Sequence, residues 1–278
     1  MSISDDVSGL AEELTAKGQP FAIATVVRTI ASVAAKPGAK AIIAADGRMA
    51  GWIGGGCALG AVKRAAQRCL RDGETRLISV VPSEQLQAQG IKPGDQRDGI
   101  EFDKNMCPSR GVVDVFIEPV LPKPQLILCG ATPVAVAIAE LAPRIGLKVA
   151  VHASAAQHAS LPSDLDMREG FDTVADTPAS SFIVVATQGA GDEKALAAAL
   201  RSAARYVAFV GSKAKVAALK QRLADVGIPA ERLAQLRGPA GIPIGAVTPE
   251  EIALSILADI VRARRQKGAT ANRQEAAE

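Results

Sequence analysis

Cys57 occupies the position of this sequence that most favours thiol chemistry. It follows three successive glycines, Gly54, Gly55 and Gly56, and precedes residues 58–70, which have the apolar spacing of a helix. Glycine lets a ligand approach the backbone closely, and the free amides at the start of a helix favour negative charge. We therefore expect a high thiolate fraction at Cys57, suited to ligating a soft metal or carrying sulfur. The alternative is a tight strand-to-helix turn in which Cys57 fills a small buried space.

Cys107 is the second candidate thiol. It lies in a loop, residues 105–111, where Arg110 would favour the thiolate. The alternative for Cys107 is an ordinary turn residue. If the fold brings Cys57 and Cys107 together, they could act as a pair, through shared metal ligation or a transient disulfide.

The remaining cysteines and the histidines favour structural roles. Cys69 falls in a predicted helix and Cys129 ends an apolar strand, so both are expected to be buried as small apolar side chains. His152 and His158 have no carboxylate cluster to complete a metal site, and the cysteine spacing matches no zinc framework. No Ser-His-Asp or Cys-His arrangement stands out.

A turn in the second half, Gly130-Ala131-Thr132-Pro133, lies where a dinucleotide-binding protein carries Gly-x-Gly-x-x-Gly. Only Gly130 of that motif is present, and Thr132 stands at the second glycine. The acidic residue expected at the end of the following strand is missing, since His152 and its neighbours occupy that region. An NAD site of the usual kind is therefore disfavoured, whereas a nucleotide or pterin phosphate could dock at the helix N-terminus.

Ser212 begins a second candidate phosphate site. It follows a strong strand and, with Lys213 and Lys215, could hold a phosphate. The alternative is that Ser212 is a plain helix N-cap. Gly241, in the glycine- and proline-rich residues 239–246, is assigned with the two preceding turns to a cleft at the carboxyl edge of the predicted sheet.

A capping box predicts where the last long helix begins. Thr248 stands at the N-cap, Pro249 at the first helical position, and Glu251 three residues after the threonine. This signal concerns structure rather than ligand binding.

The hydrophobic pattern predicts an α/β protein of two domains. Residues 1–120 form a mixed α/β domain, with an irregular loop over residues 82–99, and the prolines of residues 121–124 mark a linker. In residues 125–267 short apolar strands alternate with helices, which predicts a Rossmann-like parallel sheet covered on both faces. The polar tail, residues 268–278, is expected to be disordered.

Charge and hydropathy exclude two classes of partner. The net charge is only +3 and basic residues are mixed with acidic ones, so nucleic acid is not an expected partner. No apolar run is long enough to span a bilayer, and the N-terminus lacks a secretory signal pattern. We expect a cytoplasmic location.

Two sets of motifs resemble the XdhC/CoxI family over nearly the whole chain. The first set is Pro37-Gly38-Ala39-Lys40 and Gly51-Trp52-Ile53-Gly54-Gly55-Gly56-Cys57. The second is Val210-Gly211-Ser212-Lys213-Ala214-Lys215, Gly227-Ile228-Pro229, Gly241-Ile242-Pro243-Ile244-Gly245-Ala246 and Thr248-Pro249-Glu250-Glu251-Ile252-Ala253. The sequence departs from the family where Ala58, Leu59 and Gly60 replace an acidic residue after the cysteine, and where Thr132 replaces a glycine.

The resemblance implies an accessory factor for a molybdenum hydroxylase such as xanthine dehydrogenase or carbon monoxide dehydrogenase. Such a factor binds molybdenum cofactor, supports its sulfuration and delivers it to the apoenzyme, with a sulfur donor such as a cysteine desulfurase as a further partner. The Cys107 segment looks most like members associated with carbon monoxide dehydrogenase, which implies copper at Cys57 and Cys107. A homodimer is expected.

Two other functions are consistent with the residues. The protein could be a redox enzyme that binds FAD or NAD(P) in its Rossmann-like domain. It could also be a binding module that only chaperones the apoenzyme, without chemistry at the thiols.

Overall fold

The computed structural model describes residues 3–31, 34–105, 111–162 and 165–275. The chain divides into two compact units, Met1–Pro122 with Gly268–Glu278, and Lys123–Lys267. The division falls within residues 121–124, where two prolines interrupt both helix and strand ladders.

The first unit is a mixed sheet with three helices. Its helices are α1 (Ile3–Ala16), α2 (Gly56–Asp72) and α3 (Ser83–Ala88). Its strands are β1 (Phe21–Ile30), β2 (Lys40–Ala44), β3 (Met49–Gly51), β4 (Arg76–Pro82), β5 (Gln96–Arg97), β6 (Ile100–Asn105) and β7 (Val112–Val120). The seven strands lie in the order β3-β2-β1-β7-β4-β6-β5. Only β4 and β6 pair in parallel among these described neighbours.

Helix α2 packs its small-residue face on this sheet. Ala61, Val62 and Ala65 are buried against apolar residues of the central strands. Ion pairs fix the helix to β6, since Arg64 contacts Asp103 at 2.6 Å and Arg68 contacts Glu101. Burying small side chains lets the helix approach closely, so the start of α2 has a fixed position relative to the sheet.

The prediction of an irregular loop over residues 82–99 is wrong. Residues of this stretch form α3 and β5, and Leu86 and Ile91 join a small apolar core with Val81 and Val112. The polar residues that suggested a loop lie on the exposed side, so the few apolar residues set the local structure.

The second unit alternates strands and helices around a parallel sheet. Its strands are β8 (Gln125–Cys129), β9 (Lys148–Ala153), β10 (Asp166–Glu169), β11 (Phe182–Val185), β12 (Tyr206–Phe209) and β13 (Leu236–Arg237). Its helices are α4 (Pro133–Leu141), α5 (Asp192–Arg201), α6 (Lys213–Asp225), α7 (Ala230–Gln235) and α8 (Pro249–Glu275). Every described pair in this sheet is parallel.

The strand order of the second unit is β10-β9-β8-β11-β12-β13, which is the 3-2-1-4-5-6 order of the Rossmann fold. Side chains alternate between two cores. Leu126 and Leu128 of β8 face the core that α4 and α8 cover, whereas Ile127 and Cys129 face the core that α5 and α6 cover. The predicted α/β class, with a mixed domain followed by a Rossmann-like parallel sheet, is confirmed.

Helix α8 is fixed to the sheet by one buried carboxylate. The Tyr206 hydroxyl donates to Asp259 at 3.0 Å, and Arg237 and Arg262 also contact this carboxylate. The helix continues to Glu275, through most of the residues that the sequence had predicted to form a disordered tail. Alanine, glutamine and arginine in this stretch favour helix, which polarity alone does not reveal.

Candidate functional site

The glycine-rich turn of the first unit leads directly into α2. Gly51 and Gly54 have φ of 89° and 123°, and Gly55 is the N-cap of the helix. Among the residues that the structure describes no side chain caps this end, and the first turn contains no acidic residue. A Cβ added at Gly55 or Gly56 would meet nothing within 4 Å. There is therefore room beside Gly55 and Gly56, at a helix start whose uncapped amides favour negative charge.

Cys57 is the second residue of α2, in the first turn of that helix. Its side chain, and the whole of Cys107 and Arg110, lie outside the described part of the structure. The pairing of the two thiols stays a prediction.

The structure confirms that the other two cysteines are buried. Burial raises the pKa of the Cys69 thiol, although Arg76 lies 3.6 Å from its sulfur. Burial raises the pKa of Cys129 to about 12. Both thiols are therefore protonated and inert at neutral pH.

Gly130 follows β8 at the point where the strand order reverses. Its φ is 106°, and a Cβ there would approach the carbonyl oxygen of Ala186 to 2.5 Å. Thr132 caps α4, because its hydroxyl accepts from the Ala135 amide at 3.3 Å. At the end of β9, His152 is buried, with Nδ1 3.0 Å from the Gly170 carbonyl, and burial lowers its pKa. These residues do not supply the acidic group that binds a dinucleotide ribose.

The other predicted phosphate residues have structural partners. The Ser212 hydroxyl accepts from the Lys215 amide at 3.3 Å and so caps α6, whereas the Lys213 side chain is exposed. Gly241 lies against α8, where a Cβ would collide with the Ser255 side chain. Their roles in ligand binding stay predictions.

Two residues that sequence reasoning missed, Thr187 and Asp192, lie at the carboxyl edge of this sheet. Asp192, the first residue of α5, is 6% exposed. Its carboxylate accepts from the Thr187 hydroxyl, from the Gly189 amide at 2.9 Å and from the Lys215 ammonium. Burial opposes ionisation, but Lys215, Thr187 and Gly189 together hold the pKa of Asp192 below its usual value. The sequence feature that could have identified Asp192 is the glycine-containing segment Thr187-Gln188-Gly189-Ala190-Gly191-Asp192, which directly follows a buried strand.

A groove of about 970 Å³ lies between α5 and α6 and borders the same loop. Its floor is apolar, with Ala197, Ala198 and Leu219. Arg201 and Arg222 lie at its far end, and neither has an acidic partner among the described residues. No group of three or more His, Cys, Asp or Glu side chains that could hold a metal occurs in the part of the chain that the structure describes.

Two family models match this chain. A model of the XdhC Rossmann domain matches residues 126–260, and a model of the XdhC and CoxI family matches residues 14–81. Together they cover well over half of the sequence. The chain belongs to the XdhC and CoxI family. The first-unit match contains the glycine turn and Cys57, and the second contains Gly130, Asp192 and Lys215.

The chain is also similar to one curated protein and to one solved structure. The uncharacterized protein YqeB of Escherichia coli (strain K12) is 28% identical over 262 residues, which are 91% of this chain and 45% of that protein. The chain thus spans about half the length of that curated relative. A crystal structure described as a xanthine dehydrogenase from Bacillus halodurans is 22% identical, with a TM-score of 0.43, and the match covers 96% of this chain and 97% of that one. Among the helices that the structure describes, none is long and apolar enough to cross a bilayer.

Proposed function

We propose that this protein is a maturation factor for a molybdenum hydroxylase, which binds or sulfurates molybdenum cofactor and delivers it to the apoenzyme. The observation that carries this proposal is the match of residues 14–81 to the XdhC and CoxI family, because that match contains the glycine turn with Cys57 in the first turn of α2.

The local geometry of the turn fits an anionic, sulfur-containing cofactor. Gly55 and Gly56 leave open space beside the helix start, and no carboxylate of the first turn repels a phosphate. In this proposal the amides bind the anionic part, and the Cys57 thiolate ligates the metal or carries sulfur received from a donor such as a cysteine desulfurase. When bound, the cofactor supplies the molybdenum and its sulfur ligands.

A narrower form of the proposal concerns carbon monoxide dehydrogenase and copper. Two thiolates are ligands that copper(I) prefers, so Cys57 and Cys107 together would suit assembly of a molybdenum–copper site. This form requires the two thiols to be close.

The test is Cys57→Ser with the client hydroxylase expressed alongside. We expect the client to be recovered with reduced molybdenum and reduced cyanide-releasable sulfur, both measured per polypeptide. Cys69→Ala is the matched control, because Cys69 lies in the same helix but is buried in the core. Circular dichroism establishes that each variant is folded. A client with full metal and sulfur content from cells carrying Cys57→Ser would show that the assigned role is wrong.

A second candidate function rests on the strand order of the second unit. The 3-2-1-4-5-6 order and the positive φ of Gly130 also suit a redox enzyme that binds FAD or NAD(P). A flavin absorption spectrum in the isolated protein, or nicotinamide-dependent activity, would favour this candidate over the maturation factor.

The third candidate, a chaperone of the apoenzyme without thiol chemistry, makes a different prediction. In that case the double replacement of Cys57 and Cys107 by Ser would leave both complex formation and client maturation intact.

A further inference from the structure

Gln188 has an unfavourable backbone conformation in the loop that follows β11. Its φ is 50°, and the glycines that follow, Gly189 and Gly191, have φ of 100° and 92°. Side-chain-bearing residues rarely adopt positive φ, because Cβ then approaches the backbone too closely. Glycine would form the same turn without this cost, so the fold alone does not require glutamine here.

The shape of this loop is fixed by its own hydrogen bonds. The Asp192 carboxylate accepts from the Gly189 amide and the Thr187 hydroxyl. The Ala190 amide donates to the Thr187 carbonyl at 3.0 Å, and the Gly191 amide donates to the Gly189 carbonyl at 2.9 Å. These bonds keep Gln188 in its strained conformation.

The carboxamide of Gln188, by contrast, is unused. The residue is exposed, and its side chain has no hydrogen-bond partner in the described part of the chain. The free donor and acceptor of Gln188 lie on a loop whose backbone is already ordered, so only the side-chain rotamers have to be ordered when a ligand binds.

The loop lies where Rossmann folds bind ligands. It follows β11, whose neighbour is β8, and the strand order reverses between these two strands. Gly130, at the end of β8, approaches Ala186 and Thr187 so closely that a Cβ would collide with their backbone. Gln188 is therefore placed beside the crevice at the carboxyl ends of both strands.

We propose that Gln188 is the specificity-determining contact for a fused pyrimidine heterocycle, pterin or purine, that binds at this crevice. A carboxamide can donate to a ring acceptor and accept from the adjacent amino or imino group, as glutamine does with adenine. The proposal that the ligand is a pterin rests on the proposed function, since molybdenum cofactor contains a pterin. The proposal that the ligand is a purine does not depend on the proposed function.

The experiment compares three variants by calorimetric titration and thermal unfolding of the full chain. Gln188→Gly relieves the strain and removes the carboxamide. Gln188→Ala keeps the strain and removes the carboxamide. Asp98→Gly is the matched control, because Asp98 has φ of 52° and is exposed in the first unit.

The probes are molybdenum cofactor released anaerobically from a purified molybdoenzyme, and AMP and NADP⁺ as purines. The wild-type protein is expected to bind one class, and the class it binds identifies the heterocycle. Both Gln188 variants should weaken that binding by about tenfold, as expected for loss of one or two hydrogen bonds. Gln188→Gly should unfold at the same or a higher temperature than the wild type, and Asp98→Gly should leave binding unchanged.

Undiminished binding by Gln188→Gly, or no binding of any probe by the wild type, would overturn the inference. These results are distinguishable from failure of the proposed function, which is measured by client maturation with Cys57→Ser. A purine-binding protein with an essential Gln188 and a dispensable Cys57 would support the inference and reject the maturation role.

Discussion

The Asp192 carboxylate and the Lys215 ammonium form an ion pair that connects the first turns of α5 and α6. A cation in the first turn of a helix is unfavourable, and Asp192 compensates for this at Lys215 while also fixing the Thr187–Gly189 backbone. The sequence had suggested Lys215 as a phosphate ligand. In the structure its charge is already matched, so the exposed Lys213 is the lysine of this turn left for an anion.

Replacing Asp192 should destabilise the second unit. Asp192→Asn keeps the side-chain shape but leaves Lys215 unpaired and weakens two hydrogen bonds, at a cost of about 1–3 kcal/mol, moderated because Lys215 is partly exposed. Urea denaturation measures the change. Asp166→Asn is the matched control, since the Asp166–Arg168 pair is exposed and worth at most about 1 kcal/mol. Equal losses in both variants would contradict the importance of the Asp192 contacts.

The contribution of Asp192 should depend on pH in a defined direction. Its pKa is lowered in the folded state, so the ionised form is favoured by folding. The stabilisation is fully present above the unfolded pKa of about 3.9 and is lost as the pH falls through the lower folded pKa. The difference in unfolding free energy between wild type and Asp192→Asn should therefore be constant near pH 7 and shrink below about pH 4. A difference that grows on acidification would have the wrong sign.

Gly130 should not tolerate a side chain. Gly130→Ala forces a positive φ on alanine and brings Cβ to 2.5 Å from the Ala186 carbonyl oxygen, so we expect a loss of roughly 2–4 kcal/mol, measured by denaturation. Gly146→Ala separates the two causes, because Gly146 has φ of 78° but nothing within 4 Å of an added Cβ. Similar losses at both positions would show that the close approach to Ala186 is unimportant.

The thiols should differ sharply in reactivity. Cys69 and Cys129 are buried with raised pKa values, so iodoacetamide at pH 8 should leave both unmodified in the native protein. Cys57, in the open turn at the start of α2, is expected to react first. Mass spectrometry of native and urea-unfolded samples measures each site. Modification of Cys129 in the folded protein would contradict its burial.

The second unit was largely predictable because its signals are local. Continuous apolar runs identified the buried strands, and the capping box is confirmed, since Glu251 donates its amide to Thr248 at 3.3 Å and accepts from the Thr248 amide at 3.1 Å. The helix predicted directly after Gly54, Gly55 and Gly56 is α2, which begins one residue earlier, at Gly56 itself.

The contacts of Asp192 could not be predicted in the same way. The ion pair joins residues that follow different strands, and only the strand order brings those strand ends together. The exposed αL conformation of Gln188 is likewise a property of the closed loop, since glutamine itself gives no signal for a turn. The prediction of an irregular loop over residues 82–99 was wrong for another reason. The few apolar side chains that form the local core are outnumbered there by polar ones.

The chain contains one tryptophan and one tyrosine. Trp52 is 42% exposed beside the glycine turn of the first unit, and Tyr206 is 1% exposed in the core of the second. Each unit therefore has its own optical reporter. Indole fluorescence follows the unfolding around Trp52 in the first unit. In a Trp52→Phe variant the near-ultraviolet dichroism follows Tyr206 in the second unit, so the cooperativity of the two can be measured without added labels.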